Sequence, residues 1–136
     1  MKSHYPDAGR VWQRVLTTEP QEQQTLQMLI RQLQLDILYL KHRAKAGDDS
    51  VPGLLIREYT GQLQSLRGIV RLAGGNLPKD PGGAADHSLS RCFDHALQRL
   101  GAYQLRSSDP VYGPVFRDLT RQTEQHCRYV AQLLGQ

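Results

Sequence analysis

The residues best able to do chemistry in this sequence are its histidines, its two cysteines and the few carboxylates near them. His126 and Cys127 are adjacent in TRQTEQHCRYV, residues 120–130, and Cys92 precedes His95 by three positions. Residues three apart on a helix share a face, so Cys92 and His95 could reach one zinc ion together. Adjacent helical residues point about 100° apart, which keeps His126 and Cys127 from serving the same ion. We expect both cysteines to be small buried hydrophobic residues instead.

His126 lacks the carboxylate that a helical metal site would place three residues before it. Thr123 holds that position, and the nearest acid, Glu124, points to a different side of the helix. We therefore expect a buried His126 close to Gln62, because polar groups inside a protein must be paired. The expected network contains Tyr59, Gln62, Thr123 and His126, with Gln32 or Asp36 joining from the first helix. Three further histidines, His42, His87 and His95, are expected on helix surfaces or near helix ends.

Composition and charge limit the possible classes of protein before any helix is assigned. The 136 residues carry a formal charge of +4, and no run of lysine or arginine indicates a nucleic-acid site. The basic residues occur singly and are expected on solvated helix surfaces. They include Arg31, Lys41, Arg57, Arg67, Arg71, Arg99, Arg117 and Arg128. Neither a signal peptide nor an apolar membrane-spanning stretch is visible, so we expect a cytoplasmic protein without membrane or nucleic-acid partners.

Four stretches have the apolar spacing of amphipathic helices, and Gly, Pro and Asp residues separate them. The first opens at TTEPQEQQ, and the second runs from about Leu54 to Ala73. The third stops at SSDP, where Ser108 or Asp109 caps the fourth helix and Pro110 begins it. The expected inner face of the third helix is Leu89, Phe93, Ala96, Leu100 and Tyr103. That of the fourth is Phe116, Leu119, Thr123, His126, Val130 and Leu133. That of the second is Leu55, Tyr59, Gln62, Leu66, Ile69 and Ala73. The sequence therefore predicts an all-α fold.

The loops between the predicted helices differ in length, and this difference indicates a topology. Short connections follow the first and third helices, so each of those pairs should form an antiparallel hairpin. The middle linker, GGNLPKDPGG at residues 74–83, is the longest. About 11 extended residues span about 36 Å, the length of a helix of about 24 residues, so we expect one crossover along the bundle. The predicted organisation is an N-terminal extension at 1–18 and a single four-helix bundle domain at 19–136.

Three features of the chain occur together in a known family of helical bundles. They are the crossover, the pair Tyr39 and Tyr103 at matching places in the first and third helices, and the helix ends LRGIVRLAGG and RQTEQHCRYVAQLLG. With them the chain resembles the ferritin-like superfamily, in particular rubrerythrin-type and small bacterial ferritin-like bundles. The resemblance covers roughly residues 19–135.

The resemblance implies a dimetal centre whose ligands are largely missing here. In that family the first and third helices each give a Glu, and the second and fourth each give Glu-x-x-His. The corresponding positions in this chain are Gln32, Ala96, Tyr59 with Gln62, and Thr123 with His126; another register of the second helix would use Glu58 with Gly61. These side chains supply too little negative charge for two divalent cations, because burying uncompensated charge is costly. We therefore expect no dimetal centre, no cofactor and no catalytic residues.

Three classes of function remain open, and a non-enzymatic one is preferred. We expect a structural, accessory or self-associating bundle whose partner is a second copy of the chain or another protein. The first alternative is a metal-binding redox or storage protein with an atypical site at His126 plus Glu58 or Glu124. The second is a small-molecule binder that uses interior space beside Ala96 and Gln62.

The N-terminal extension has an apolar face of its own. Trp12 lies among Val11, Val15 and Leu16 at helical spacing. We expect this segment to fold back on the bundle, with docking on a second copy and mobility as the alternatives.

Overall fold

Four α-helices and no strand make up the described residues of the computed structural model, which are 20–44, 51–79 and 87–135. The helices are α1 Pro20–Arg43, α2 Val51–Leu72, α3 Leu89–Arg106 and α4 Gly113–Leu134. The prediction of an all-α bundle is confirmed. The extension at 1–18, with Trp12, and the linker positions from 80 to 83 lie outside the described residues. Within those residues, no helix combines the length and apolar character that crossing a membrane requires.

Two predicted helix starts are wrong by three residues, and a proline explains each. Helix α2 begins at Val51 rather than Leu54, because Pro52 is tolerated in a first turn, where its missing N–H is not needed. Helix α4 begins at Gly113 rather than Pro110. Before it, Asp109 Oδ1 accepts hydrogen bonds from the backbone N–H groups of residues 111 and 112, at 2.7 and 2.8 Å, and so forms a separate turn. Pro114 takes the first-turn position of α4 instead.

The end of α2 meets the beginning of α1. Gly74 has φ of 79°, and the N–H of Gly75 bonds to Val70 O at 2.9 Å, which is the Schellman pattern that stops a helix. Just beyond it, Gln27 Nε2 of α1 donates to Asn76 O at 2.9 Å. Since the end of α2 lies beside the first turns of α1, these two helices form an antiparallel hairpin.

The helices that contact each other between the two hairpins are also antiparallel. In α1 and α3, Glu22 pairs with Arg106 near one end, and Asp36 pairs with His95 towards the other. In α2 and α4, Glu58 contacts His126, and Gln62 contacts residue 122 one turn further along α2. Residue numbers thus rise on one helix as they fall on its neighbour, so both pairs are antiparallel.

The buried face of α3 differs from the predicted one. Cys92, Ala96, Arg99 and Tyr103 each have no exposed surface, whereas Phe93 is only half-buried. The expectation that Arg99 lies on a solvated surface is therefore wrong. The predicted inner faces of α2 and α4 are confirmed, and leucines from α1 and α2 complete the core. Burying each such leucine contributes roughly 1.5–3 kcal/mol to the free energy of folding, and this packing holds together the helices that carry the polar interior.

Candidate functional site: the polar interior

A buried ion pair joins α1 to α3. Arg99 Nη1 donates to Asp36 Oδ2 at 2.9 Å, and both side chains are fully buried. The guanidinium carbon lies 4.7 Å from the centre of the Tyr59 ring, so α2 also contributes an attractive contact to this cation. A charge in a protein interior requires such partners, because desolvation costs several kcal/mol per ion. Asp36 is the acid that makes the burial of Arg99 possible.

The second oxygen of the same carboxylate contacts two histidines. Asp36 Oδ1 lies 2.6 Å from His87 Nε2 and 2.8 Å from His95 Nδ1. Burial alone would raise the pKa of Asp36, but the two histidine contacts and the charge of Arg99 outweigh it and lower the pKa from 3.8 to about 2. The carboxylate is therefore charged at neutral pH. His87 lies near a helix end as expected, but its side chain is buried, not on the surface.

Cys92 extends this group towards the start of α3. Its Sγ lies 3.6 Å from His87 Nε2, and the ligand atoms of Asp36, His87 and Cys92 all lie within 4.8 Å of one another. Burial raises the pKa of the Cys92 thiol. Cys92 is buried, as predicted, and its polar neighbour is His87 rather than His95, which bonds to Asp36. Both cysteines are free thiols, and Cys127 is half-buried.

A neutral hydrogen-bonded group lies between α2, α3 and α4. The Gln62 amide donates to Thr123 Oγ1 at 3.1 Å and to Gln122 Oε1 at 3.2 Å, and it accepts from the Tyr103 hydroxyl at 3.2 Å. The predicted contact between Gln62 and Thr123 is confirmed. Tyr59 does not join by hydrogen bonding: its hydroxyl has no such partner among the described residues, and its ring packs against other side chains.

His126 is fully buried, as predicted, but its hydrogen-bond partner is Glu58 rather than Gln62. The His126 Nε2 and Glu58 Oε1 atoms are 2.6 Å apart, and the His126 ring packs edge-on against Tyr59. Burial lowers the pKa of His126, and although Glu58 acts to raise it, the charge of Arg99 lowers it further. A neutral imidazole donating Nε2–H to the carboxylate follows from this balance.

Of the two carboxylates proposed as alternative metal partners of His126, one lies beside it. Glu58 reaches His126, whereas Glu124 is exposed on the outer face of α4. A pocket of about 350 Å³ opens at the surface beside Glu58 and is lined also by Arg121, Gln122 and Gln125. It lies away from Ala96, so the expectation of a ligand cavity beside that residue stays a prediction.

The six positions at which the resemblance would place dimetal ligands are all buried, but their chemistry does not fit two cations. Gln32 bonds to Gln98 at 2.6 Å, Gln62 belongs to the neutral group, and Ala96 offers no donor atom. Only His126 is a usual metal ligand. Within the part of the chain that the structure describes, the one fully buried acid is Asp36, and it already compensates Arg99. The interior charge needed for a dimetal centre is therefore not available at these positions.

Comparison with known proteins adds no relative. The chain matches no family model, no curated protein and no solved structure.

Proposed function

We propose that the protein is a ferritin-like bundle in which packed polar contacts replace the dimetal centre, and that it acts as a non-catalytic, self-associating structural or accessory protein. The observation that carries the proposal is the Arg99–Asp36 contact of 2.9 Å inside the bundle. Asp36 is the one fully buried acid among the described residues and its Oδ2 is paired with Arg99, so no buried carboxylate remains at the six positions of the resemblance to balance two divalent cations.

The order of the helices supports the ferritin-like part of the proposal. Helices α1 and α2 form a hairpin, and α1 is antiparallel to α3 through the Glu22–Arg106 and Asp36–His95 contacts. Helices α2 and α3 then run in the same direction, which supports a long crossover between them. A four-helix bundle with one long crossover is the ferritin-like arrangement.

The outer face of α3 supports self-association. Leu97 is 47% exposed and Leu105 is 80% exposed, and Gly101 lies between them at four-residue spacing. Phe93 continues the same row by one turn and is half-buried. Rows at i, i+4 and i+8 form an apolar strip on one side of a helix, and the missing side chain at Gly101 lets a second helix approach closely. A second copy of the chain can cover this strip.

Metal analysis tests the first half of the proposal. We expect the metal-free protein, titrated anaerobically with Fe²⁺ or Mn²⁺, to bind no pair of ions per chain. The His126→Ala variant should give the same result. The matched control is His42→Ala, which alters an exposed histidine of α1. Two bound ions that His126→Ala removes and His42→Ala retains would overturn the proposal.

Light scattering tests the second half. We expect the wild-type protein to be a dimer and the double variant Leu97→Gln/Leu105→Gln to be a monomer with unchanged helix content. Leu72→Gln is the control, because Leu72 is 71% exposed at the end of α2, outside the strip. A monomeric wild type, or a dimer that the double change leaves intact, would contradict self-association through α3.

A further inference from the structure

Three different metal-binding donors lie side by side where α1 faces the start of α3. The carboxylate of Asp36, the imidazole of His87 and the thiol of Cys92 have ligand atoms within 4.8 Å of one another. We infer that Asp36 Oδ1, His87 Nε2 and Cys92 Sγ bind a single zinc ion. This site is independent of the proposed function, because none of its ligands occupies a family dimetal position.

Two of the ligand distances can be compared with those of a tetrahedral zinc site: one matches it, and the other must widen. Zinc bonds of about 2.3 Å to sulfur and about 2.0–2.1 Å to nitrogen place those ligand atoms about 3.6 Å apart. Cys92 Sγ and His87 Nε2 are 3.6 Å apart. The 2.6 Å between His87 Nε2 and Asp36 Oδ1 is a hydrogen-bond distance, and it would widen to about 3.4 Å once the ion replaces the shared proton. His87 precedes the N-cap Ser88, so its ring can shift without unwinding α3.

Neighbouring side chains hold the carboxylate in place for the ion. Arg99 donates to Oδ2 and leaves Oδ1 for the metal, and His95 Nδ1 approaches Oδ1 at 2.8 Å. The Tyr39 ring packs edge-on against His87, with 5.3 Å between ring centres. Hydrogen-bonded partners of this kind orient metal ligands and strengthen binding. Three protein ligands leave the fourth tetrahedral position for water.

The donor set selects zinc over the hard cations. Mg²⁺ and Ca²⁺ take oxygen ligands, whereas a thiolate, an imidazole and a carboxylate together suit Zn²⁺. The Cys92 thiolate and Asp36 would carry two negative charges against three positive charges on the ion and Arg99, so the occupied site keeps a net charge of +1 while Arg99 stays paired with Asp36 Oδ2. Because a thiol must lose its proton to bind zinc, binding releases a proton and weakens as pH falls.

Cobalt is the probe for this site, since Co²⁺ reports zinc-type ligands spectroscopically. We expect Co²⁺ added to reduced, metal-free protein at neutral pH to give the visible bands of a tetrahedral ion. A thiolate-to-cobalt charge-transfer band should appear in the near ultraviolet, and Zn²⁺ should displace both signals. Zn²⁺ should also raise the melting temperature of the wild type.

Variants separate the ligands from their neighbours. Cys92→Ala and His87→Ala should abolish the charge-transfer band and the thermal shift, while Cys127→Ala and His42→Ala should keep both. His95→Ala should retain the thiolate band but weaken Co²⁺ binding by about 10- to 100-fold, as expected for a partner of a ligand.

Two results would overturn the zinc site. One is the absence of cobalt bands in wild-type protein whose helix content is normal by circular dichroism. The other is a charge-transfer band that persists in Cys92→Ala or disappears in Cys127→Ala. If Cys92→Ala fails to fold, His87→Ala decides, because it changes a residue that lies outside the helices.

Discussion

Arg99 Nη1 lies 2.9 Å from Asp36 Oδ2, and neither side chain has exposed surface. The two residues depend on each other unequally. Asp36 has two further partners, His87 and His95, whereas Arg99 makes its side-chain hydrogen bond within the described residues to Asp36. Loss of Asp36 should therefore lower the free energy of unfolding much more than loss of Arg99.

Replacement of the acid should be the more damaging change. We expect Asp36→Leu to lower the free energy of unfolding by about 3–5 kcal/mol, because it leaves a buried guanidinium uncompensated. Arg99→Met should cost about 1–3 kcal/mol, since Asp36 keeps both histidines. The loss of free energy of unfolding in the double variant should be closer to that of Arg99→Met than to the sum of the two single losses. Urea denaturation of metal-free protein measures all three.

The exposed pair Asp118 and Arg121 provides the control for this cycle. Its side chains are 63% and 74% exposed, so Asp118→Asn should change stability by no more than about 1 kcal/mol. Equal effects of Asp36→Leu and Asp118→Asn would show that the buried pair is not formed in solution.

The pKa of His126 predicts a pH dependence of stability. Burial lowers this pKa below the ordinary 6.5, so the unfolded chain binds more protons than the folded one between the two values. The free energy of unfolding should then fall as pH decreases below about 6.5, with a slope of up to about 1.4 kcal/mol per pH unit for one proton. Above about pH 7 this contribution should be constant.

Two glutamine variants isolate the contribution of His126. His126→Gln keeps a hydrogen-bond donor for Glu58 but removes the titrating imidazole. The free energy of unfolding of this variant should therefore lack the part of the pH slope that His126 contributes. His42→Gln changes an exposed histidine of α1 and should keep the wild-type slope. Identical pH profiles for wild type and His126→Gln would argue against the neutral buried imidazole.

Two glycines of the α2 segment should respond to alanine with opposite sign. Gly74 has φ of 79°, so Gly74→Ala should destabilise the protein by about 1 kcal/mol, the cost of a left-handed conformation for a residue with Cβ. A Cβ at Gly68, in the middle of the helix, would meet nothing within 4 Å, and Gly68→Ala should stabilise by about 0.5–1 kcal/mol. Thermal denaturation compares them. Effects of the same sign would contradict the helix end at Gly74.

Spacing of apolar residues was enough to predict the helices and the burial of His126. The inner faces of α2 and α4 follow directly from their three- and four-residue spacing, and His126 lies on one of them. The partner of His126 could not be read the same way, because Glu58 reaches it from the half-exposed edge of α2. Hydrogen bonds depend on side-chain reach between helices, which spacing along one helix does not specify.

Arg99 and His87 were missed for a different physical reason. Arginine is expected at surfaces, yet Cys92, Ala96, Arg99 and Tyr103 have the four- and three-residue spacing of one buried face, and that pattern was the available signal. His87 lies before α3 and belongs to no helical face, so only the folded chain brings it to Asp36.

Glu22 and Arg106 offer a test of the helix arrangement itself. Arg106 Nε and Nη2 donate to the two carboxylate oxygens of Glu22 at 2.7 and 2.6 Å, joining the first turn of α1 to the last turn of α3. This contact forms only if α1 and α3 are antiparallel. Glu22→Arg and Arg106→Glu should each lower the free energy of unfolding by about 1–3 kcal/mol, because each places like charges together.

The charge-swapped double variant should recover much of this loss, but not all of it. Each original charge also suits the dipole of its helix end, and reversal forfeits about 0.3–1 kcal/mol per residue. High salt should reduce the differences among the four proteins, since both side chains are partly exposed. A double variant as unstable as the sum of the single ones would mean that the residues do not meet, and the antiparallel pairing of α1 with α3 would then be wrong.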